Sequence, residues 1–196
     1  MKTTKLIAFH GDQKIKTKYV NRMKDHIQKD ELIRGTGWEN GKGCAVGCTL
    51  NRYDHACYPN ELGLPEWLGR LEDALFEGMS LEKSKTFPLE FLKAIPVGVN
   101  LDKTFHLMQI YILELAKQNV EAKYDYVIKA IDGVIDYHLK CASGFYESDS
   151  AARSAARSAA RSADSAAWSV AWSAARSAAY DKMADKLLGL LTEVQN

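Results

Sequence analysis

Apolar residues recur along most of this chain at the three- and four-residue steps that gather side chains on one face of an α-helix. Ile15, Tyr19, Met23 and Ile27 follow the turn and cap at Gly11-Asp12 with Lys and Asp between them, which predicts a helix over 13–31. Pro65 suits a first helical position, and Leu68, Leu71, Leu75 and Met79 form a stripe that stops at 78–80. Ser80 can cap a short helix, and Pro88 can open another through Phe91 and Leu92, before Pro96, Gly98 and Asn100 break the chain. Asp102 opens a helix with Phe105, Met108, Ile112 and Leu115 inward. A further helix carries Tyr124, Val127, Ile131, Ile135 and Leu139 on one face and ends or kinks at Gly144. Residues 5–9 read as a short strand, and 53–60 as irregular chain.

Two stretches depart from this amphipathic pattern. Between residues 35 and 47, Gly35, Gly37, Gly41, Gly43 and Gly47 recur around Trp38, Cys44 and Cys48. Glycine at this density reads as a loop whose backbone turns tightly or approaches other chain closely, opening into a short helix near 44–50. From Ser150 the sequence runs Ser-Ala-Ala-Arg three times, then continues in the same rhythm through Trp168, Trp172, Arg176 and Tyr180. Alanine is the strongest helix former, so the repeat predicts one long helix, about 60 Å for about 40 residues. The slot before each serine carries Arg153, Arg157 and Arg161 first, then Trp168, Trp172, Arg176 and Tyr180. The arginine half reads as solvated, whereas the aromatic half demands burial against the fold or a partner. The expected organisation is a mainly α protein: a helical globular domain over 1–145 with a Gly/Cys-rich loop, and a long alanine-rich C-terminal helix over 146–196.

Composition adds limits. The chain has 196 residues, 46% hydrophobic and 26% charged, which suits a packed globular protein. The formal net charge is +1, so no global basic excess points to nucleic acid. Basic residues do outnumber acids in the first sixty positions, but without aromatic interleaving or a nucleic-acid motif they read as a solvated helix face. No stretch approaches the ~18 apolar residues of a membrane span, and the start lacks the apolar core of a secretory signal. A cytoplasmic location and reduced cysteines are therefore expected.

The Gly/Cys-rich loop is the best candidate for chemistry. Cys44, Cys48, His55 and Cys57 are four ligands of the kind zinc prefers, although their spacing matches no standard zinc module. As a nucleophile, Cys44 or Cys48 could be held as thiolate at a helix start, with His55 or His26 as base and Asp54 or Glu39 orienting it. The third reading makes the cysteines packing residues where glycine lets segments meet. Glu66, Arg70, Glu72 and Asp73 read as a solvated helix face with i, i+4 pairing.

The segment from Gly35 to Leu50, Tyr53-Asp-His, Leu62-Gly-Leu-Pro, Arg70-Leu-Glu-Asp and Ala94-Ile-Pro-Val-Gly resembles a group of uncharacterised bacterial and phage proteins with alanine-rich helical tails. The resemblance implies a bacterial or mobile-element origin and no particular reaction. The leading functional expectation is a helical interaction or assembly protein, with a protein partner or self-association through Arg153, Arg157, Arg161, Trp168, Trp172, Arg176 and Tyr180. The alternative is a cysteine- or zinc-dependent enzyme centred on 35–57, with zinc as its cofactor.

Overall fold

A computed structural model describes residues 5–121, 124–144 and 176–194, and over these the protein is mainly helical. The helices are α1 (Gln13–Gln28), α2 (Ala45–Leu50), α3 (Tyr58–Leu62), α4 (Glu66–Gly78), α5 (Leu81–Ser84), α6 (Phe87–Ala94), α7 (Asp102–Lys117), α8 (Asp125–Ala142) and α9 (Arg176–Glu193). A two-stranded antiparallel hairpin, β1 (Trp38–Glu39) and β2 (Lys42–Gly43), lies between α1 and α2. No described helix is long and apolar enough to cross a membrane.

The described residues divide into two compact units. Unit 1 comprises the chain up to Leu101 together with Tyr180 onward, and unit 2 runs from Asp102 to Ala179. The stretch 146–175, with most of the alanine-rich repeat, lies outside the described residues.

Unit 1 is built on the predicted stripes. Asp12 caps α1 by accepting from the Lys14 N–H at 2.7 Å, and Tyr19 and Met23 are buried as their spacing requires. Leu68, Leu71, Leu75 and Met79 are all buried along α4. Ser80 caps α5, and Phe87, Phe91 and Leu92 bury the inner face of α6. From Tyr180 onward α9 contributes Met183, Ala184, Leu187 and Leu191, each at most 1% exposed.

Two local readings fail. Residues 5–9 form no strand: Ala8–Gly11 is a 3-10 turn in which Phe9, His10 and Gly11 all take positive φ, with Phe9 wholly buried. Hydrogen bonds from Ala8 N–H to the Val99 carbonyl and from Gly98 N–H to the Ala8 carbonyl, both 2.9 Å, tie the turn to a distant loop that no local pattern encodes. Residues 53–60 are not irregular either, because His55–Cys57 is a 3-10 turn that runs into α3.

In unit 2, α7 and α8 pack through Leu113, Ala116, Ile131, Val134 and Ile135, with Ile110, Val120 and Val127 around them. The buried face of α8 is rotated from the predicted one: His138 is 2% exposed, whereas Leu139 is 51% and Tyr124 41% exposed.

Candidate functional site

The Gly/Cys-rich segment is a crossing point of backbone. Asn40 and Gly41, with φ of 51° and 81°, form the tight turn of the hairpin, the positive-φ pair that an Asn-Gly sequence favours. Gly43 and Gly47 both press on the carbonyl oxygen of Gly37, so closely that a Cβ at either position would strike it. The chain leaving α1 joins in: Ile33 N–H donates to the Gly43 carbonyl at 2.8 Å, and Gly43 N–H donates to the Glu31 carbonyl at 3.0 Å. This packing sets Cys44 at the start of α2, 1% exposed, with its Sγ accepting from the Gly47 N–H at 3.5 Å.

The four cysteine and histidine candidates do not converge on one another. Cys48 points its thiol at the carbonyls of Gly43 and Glu31, at 3.4 and 3.6 Å. Cys57 donates to Asp54 Oδ2 at 3.0 Å, which holds the Asp54 carboxyl below its usual range. His55 lies with its Nε2 3.1 Å from Asp73 Oδ2, and Asp54 caps the turn instead of orienting the imidazole. His26 sits between Glu31 and Asn51, at 2.6 and 2.9 Å, and Glu39 is exposed on β1.

What does converge on Cys44 comes from α4. Among the described residues, the ligand atoms of Cys44, Asp73 and Glu77 lie within 4.8 Å of one another. Asp73 and Glu77 are four residues apart and share one face of α4, close to its carboxyl-terminal end. Each of the three side chains has its own donor. Gly47 N–H serves Cys44, and Gly35 N–H reaches both Glu77 carboxylate oxygens at 2.8 and 3.0 Å. Asp73 Oδ2 takes the Tyr53 hydroxyl at 2.7 Å as well as His55. Its Oδ1 is buried without a hydrogen-bond partner.

The electrostatics follow from burial and like charge. Burial, reinforced by Asp73, pushes the Cys44 thiol well above its ordinary value, and burial raises Cys48 to about 12. Both are held as thiols, so the helix-start thiolate is not favoured. Glu77 is raised by burial and by Asp73, against the lowering effects of Gly35 and Arg34. The hydrogen bond to Asp73 lifts the Tyr53 phenol to about 12. Behind the cluster Glu72 is wholly buried and hydrogen-bonded to Tyr58, and burial raises its carboxyl to about 8.

The solvated-face reading of α4 is therefore half right. Glu66 and Arg70 do pair in solvent at 2.6 Å, but Glu72 is in the core and Asp73 in the cluster. The missed signal was positional, since Glu72 falls four residues after Leu68, inside the apolar stripe.

Of the interaction candidates, Tyr180 is 4% exposed and stacks on Gly78 within unit 1, and Arg176 opens α9. Arg153, Arg157, Arg161, Trp168 and Trp172 lie outside the described residues. Comparison of the chain with protein-family models, with curated proteins and with solved structures finds no match, so the reading of this site rests on its own geometry.

Proposed function

We propose that this chain is a metal-binding protein of the zinc type, centred on Cys44, Asp73 and Glu77, which develops the zinc-dependent alternative. The observation that carries the reading is the asymmetry of Asp73. Its Oδ2 is held by Tyr53 and His55, while its Oδ1 is buried with only the weakly donating Cys44 thiol beside it, whose proton a cation would replace. An unpaired buried carboxylate oxygen is costly, and a cation relieves it. Oriented donors on all three side chains are the outer-shell support that metal ligands require.

The donor set also fits. One thiolate and two carboxylates suit a borderline-soft divalent ion, with Zn–S near 2.3 Å and Zn–O near 2.0–2.2 Å. Tetrahedral ligands at those lengths stand about 3.3–3.8 Å apart, so the 4.8 Å cluster closes on an ion by movements of about an ångström. A bound cation would displace the Cys44 proton, which reverses the effect of burial on the thiol. Three protein ligands would leave a fourth position open, as in catalytic zinc sites, and a bound zinc would supply Lewis acidity there. His55 and Tyr53, both hydrogen-bonded to Asp73 Oδ2, would hold that carboxylate in place.

The test is metal content by native mass spectrometry and elemental analysis of the full chain, purified without chelator and exposed to zinc. One zinc per chain is expected, lost in Cys44→Ser and Asp73→Asn and kept in Cys57→Ala. A wild-type chain that stays metal-free, or zinc retained equally by Asp73→Asn and Glu77→Gln, would overturn the reading.

A further inference from the structure

We infer that the C-terminal helix α9 is a latch on the metal site: its docking on the turn after α4 positions Glu77, and cation binding in turn tightens the docked helix. This rests on the metal reading above and adds its regulation. Glu77 is the penultimate residue of α4, and the turn that follows is held from two sides. On one side, Arg34 donates to the Glu77 main-chain carbonyl while Gly35 N–H holds its carboxylate. On the other side is α9. The Tyr180 ring lies flat against Gly78, where an added Cβ would sit 2.6 Å from Cδ1, Cδ2 and Cε1. Asp181 Oδ1 accepts from the Ser80 N–H at 2.9 Å. Lys83 donates to the Asp181 carbonyl at 3.1 Å and pairs with Asp185.

These contacts fall on residues 78–83, directly after a proposed ligand, and join the Arg34 bond to the Glu77 carbonyl at the end of α4. Its end is closed by the Met79 N–H to Leu75 carbonyl bond and then by α9 itself. A helix end frays unless its last turn is tied down, and Glu77 lies in that last turn. With α9 docked, Glu77 keeps a carboxylate oxygen within 4.8 Å of the Cys44 and Asp73 ligand atoms. With α9 released, the turn loosens and the third ligand is lost from its place. Linkage makes the effect reciprocal: an ion that prefers the docked state stabilises docking by the same factor. Tyr180 is also where the chain re-enters unit 1 after leaving it at Leu101.

The experiment is titration of the full chain with cobalt(II), followed by its thiolate charge-transfer and visible bands, and competition with zinc for affinity. Asp181→Ala and Tyr180→Ala should each weaken zinc about tenfold to a hundredfold, the effect expected of outer-shell support, and alter the cobalt bands. Asp181→Asn and Tyr180→Phe, which keep the acceptor and the ring, should restore both. Zinc should slow hydrogen exchange across 180–193 in the wild type, a readout that a merely structural role of α9 would not move. Wild-type cobalt binding with unchanged affinity and bands in Asp181→Ala, and no zinc effect on exchange, would overturn the latch and leave the site standing. A wild type that binds neither cobalt nor zinc would overturn both. Asp181→Ala leaves the buried face of α9 intact, so the test survives if Tyr180→Ala fails to fold.

Discussion

The Tyr58 hydroxyl donates to a carboxylate oxygen of Glu72 in the interior of unit 1, where both side chains are wholly buried. The pair is a neutral phenol beside a carboxyl that burial keeps protonated up to about pH 8. The unfolded chain would release that proton near its ordinary value of 4.5. The folded state therefore binds the proton more tightly, and the stabilisation is fully present below about pH 4.5 and lost as pH rises through about 8. Thermal melts should show unit 1 weakening across that window, with a limiting slope of about 1.4 kcal/mol per pH unit for one proton. Glu72→Gln, which keeps an acceptor for Tyr58, should flatten the profile. A wild type that gains stability from pH 5 to 8 while Glu72→Gln does not would refute the assignment.

Unit 2 should respond to pH in the opposite sense. His138 Nδ1 lies 2.9 Å from His106 Nδ1 across α7 and α8, and burial, then His106, lowers His138 to about 4. The unfolded imidazole protonates near 6.5, so the contribution is present above 6.5 and lost as pH falls through about 4. In an NMR titration the imidazole line that disappears in His138→Gln should have its midpoint well below 6.5. A midpoint at or above 6.5 would contradict the buried pair.

Glycines of the two units should differ sharply in tolerance. Gly47→Ala drives a methyl into the Gly37 carbonyl and should cost about 3 kcal/mol. Gly133 lies within α8 with nothing within 4 Å of an added Cβ, so Gly133→Ala should stabilise by about 0.5–1 kcal/mol. Urea denaturation of both variants measures the contrast, and a harmless Gly47→Ala would mean that the crossing at Gly37 is looser than described.

Thiol chemistry should follow burial. Cys57 and Cys141 are partly exposed, whereas Cys44 and Cys48 are at most 1% exposed and held protonated. Iodoacetamide followed by peptide mapping should label Cys57 and Cys141 in the native protein, and Cys44 and Cys48 only on unfolding. Native labelling of Cys44 faster than in a denatured control would revive the nucleophile reading.

Local periodicity was enough for α1, α4, α6 and α7, because each buries one face and its apolar residues must recur at helical spacing. Caps at Asp12 and Ser80 and the break at 96–100 were legible for the same local reason. Cys44 and His55 were visible as chemically able residues in a glycine-rich stretch. Their partners were not. Asp73 and Glu77 look like any solvated pair four residues apart until α4 is packed against α2, and only that packing sets them, half-buried, beside a thiol. The 3-10 turn at Ala8–Gly11 was likewise decided by distant hydrogen bonds to 98–99, and the docking of Tyr180 on Gly78 by a contact across a hundred residues of chain. Sequence determined which segments are helices because that depends on neighbours one turn away. Which carboxylates, thiols and aromatic rings meet depends on long-range packing, and only the tertiary structure supplies it.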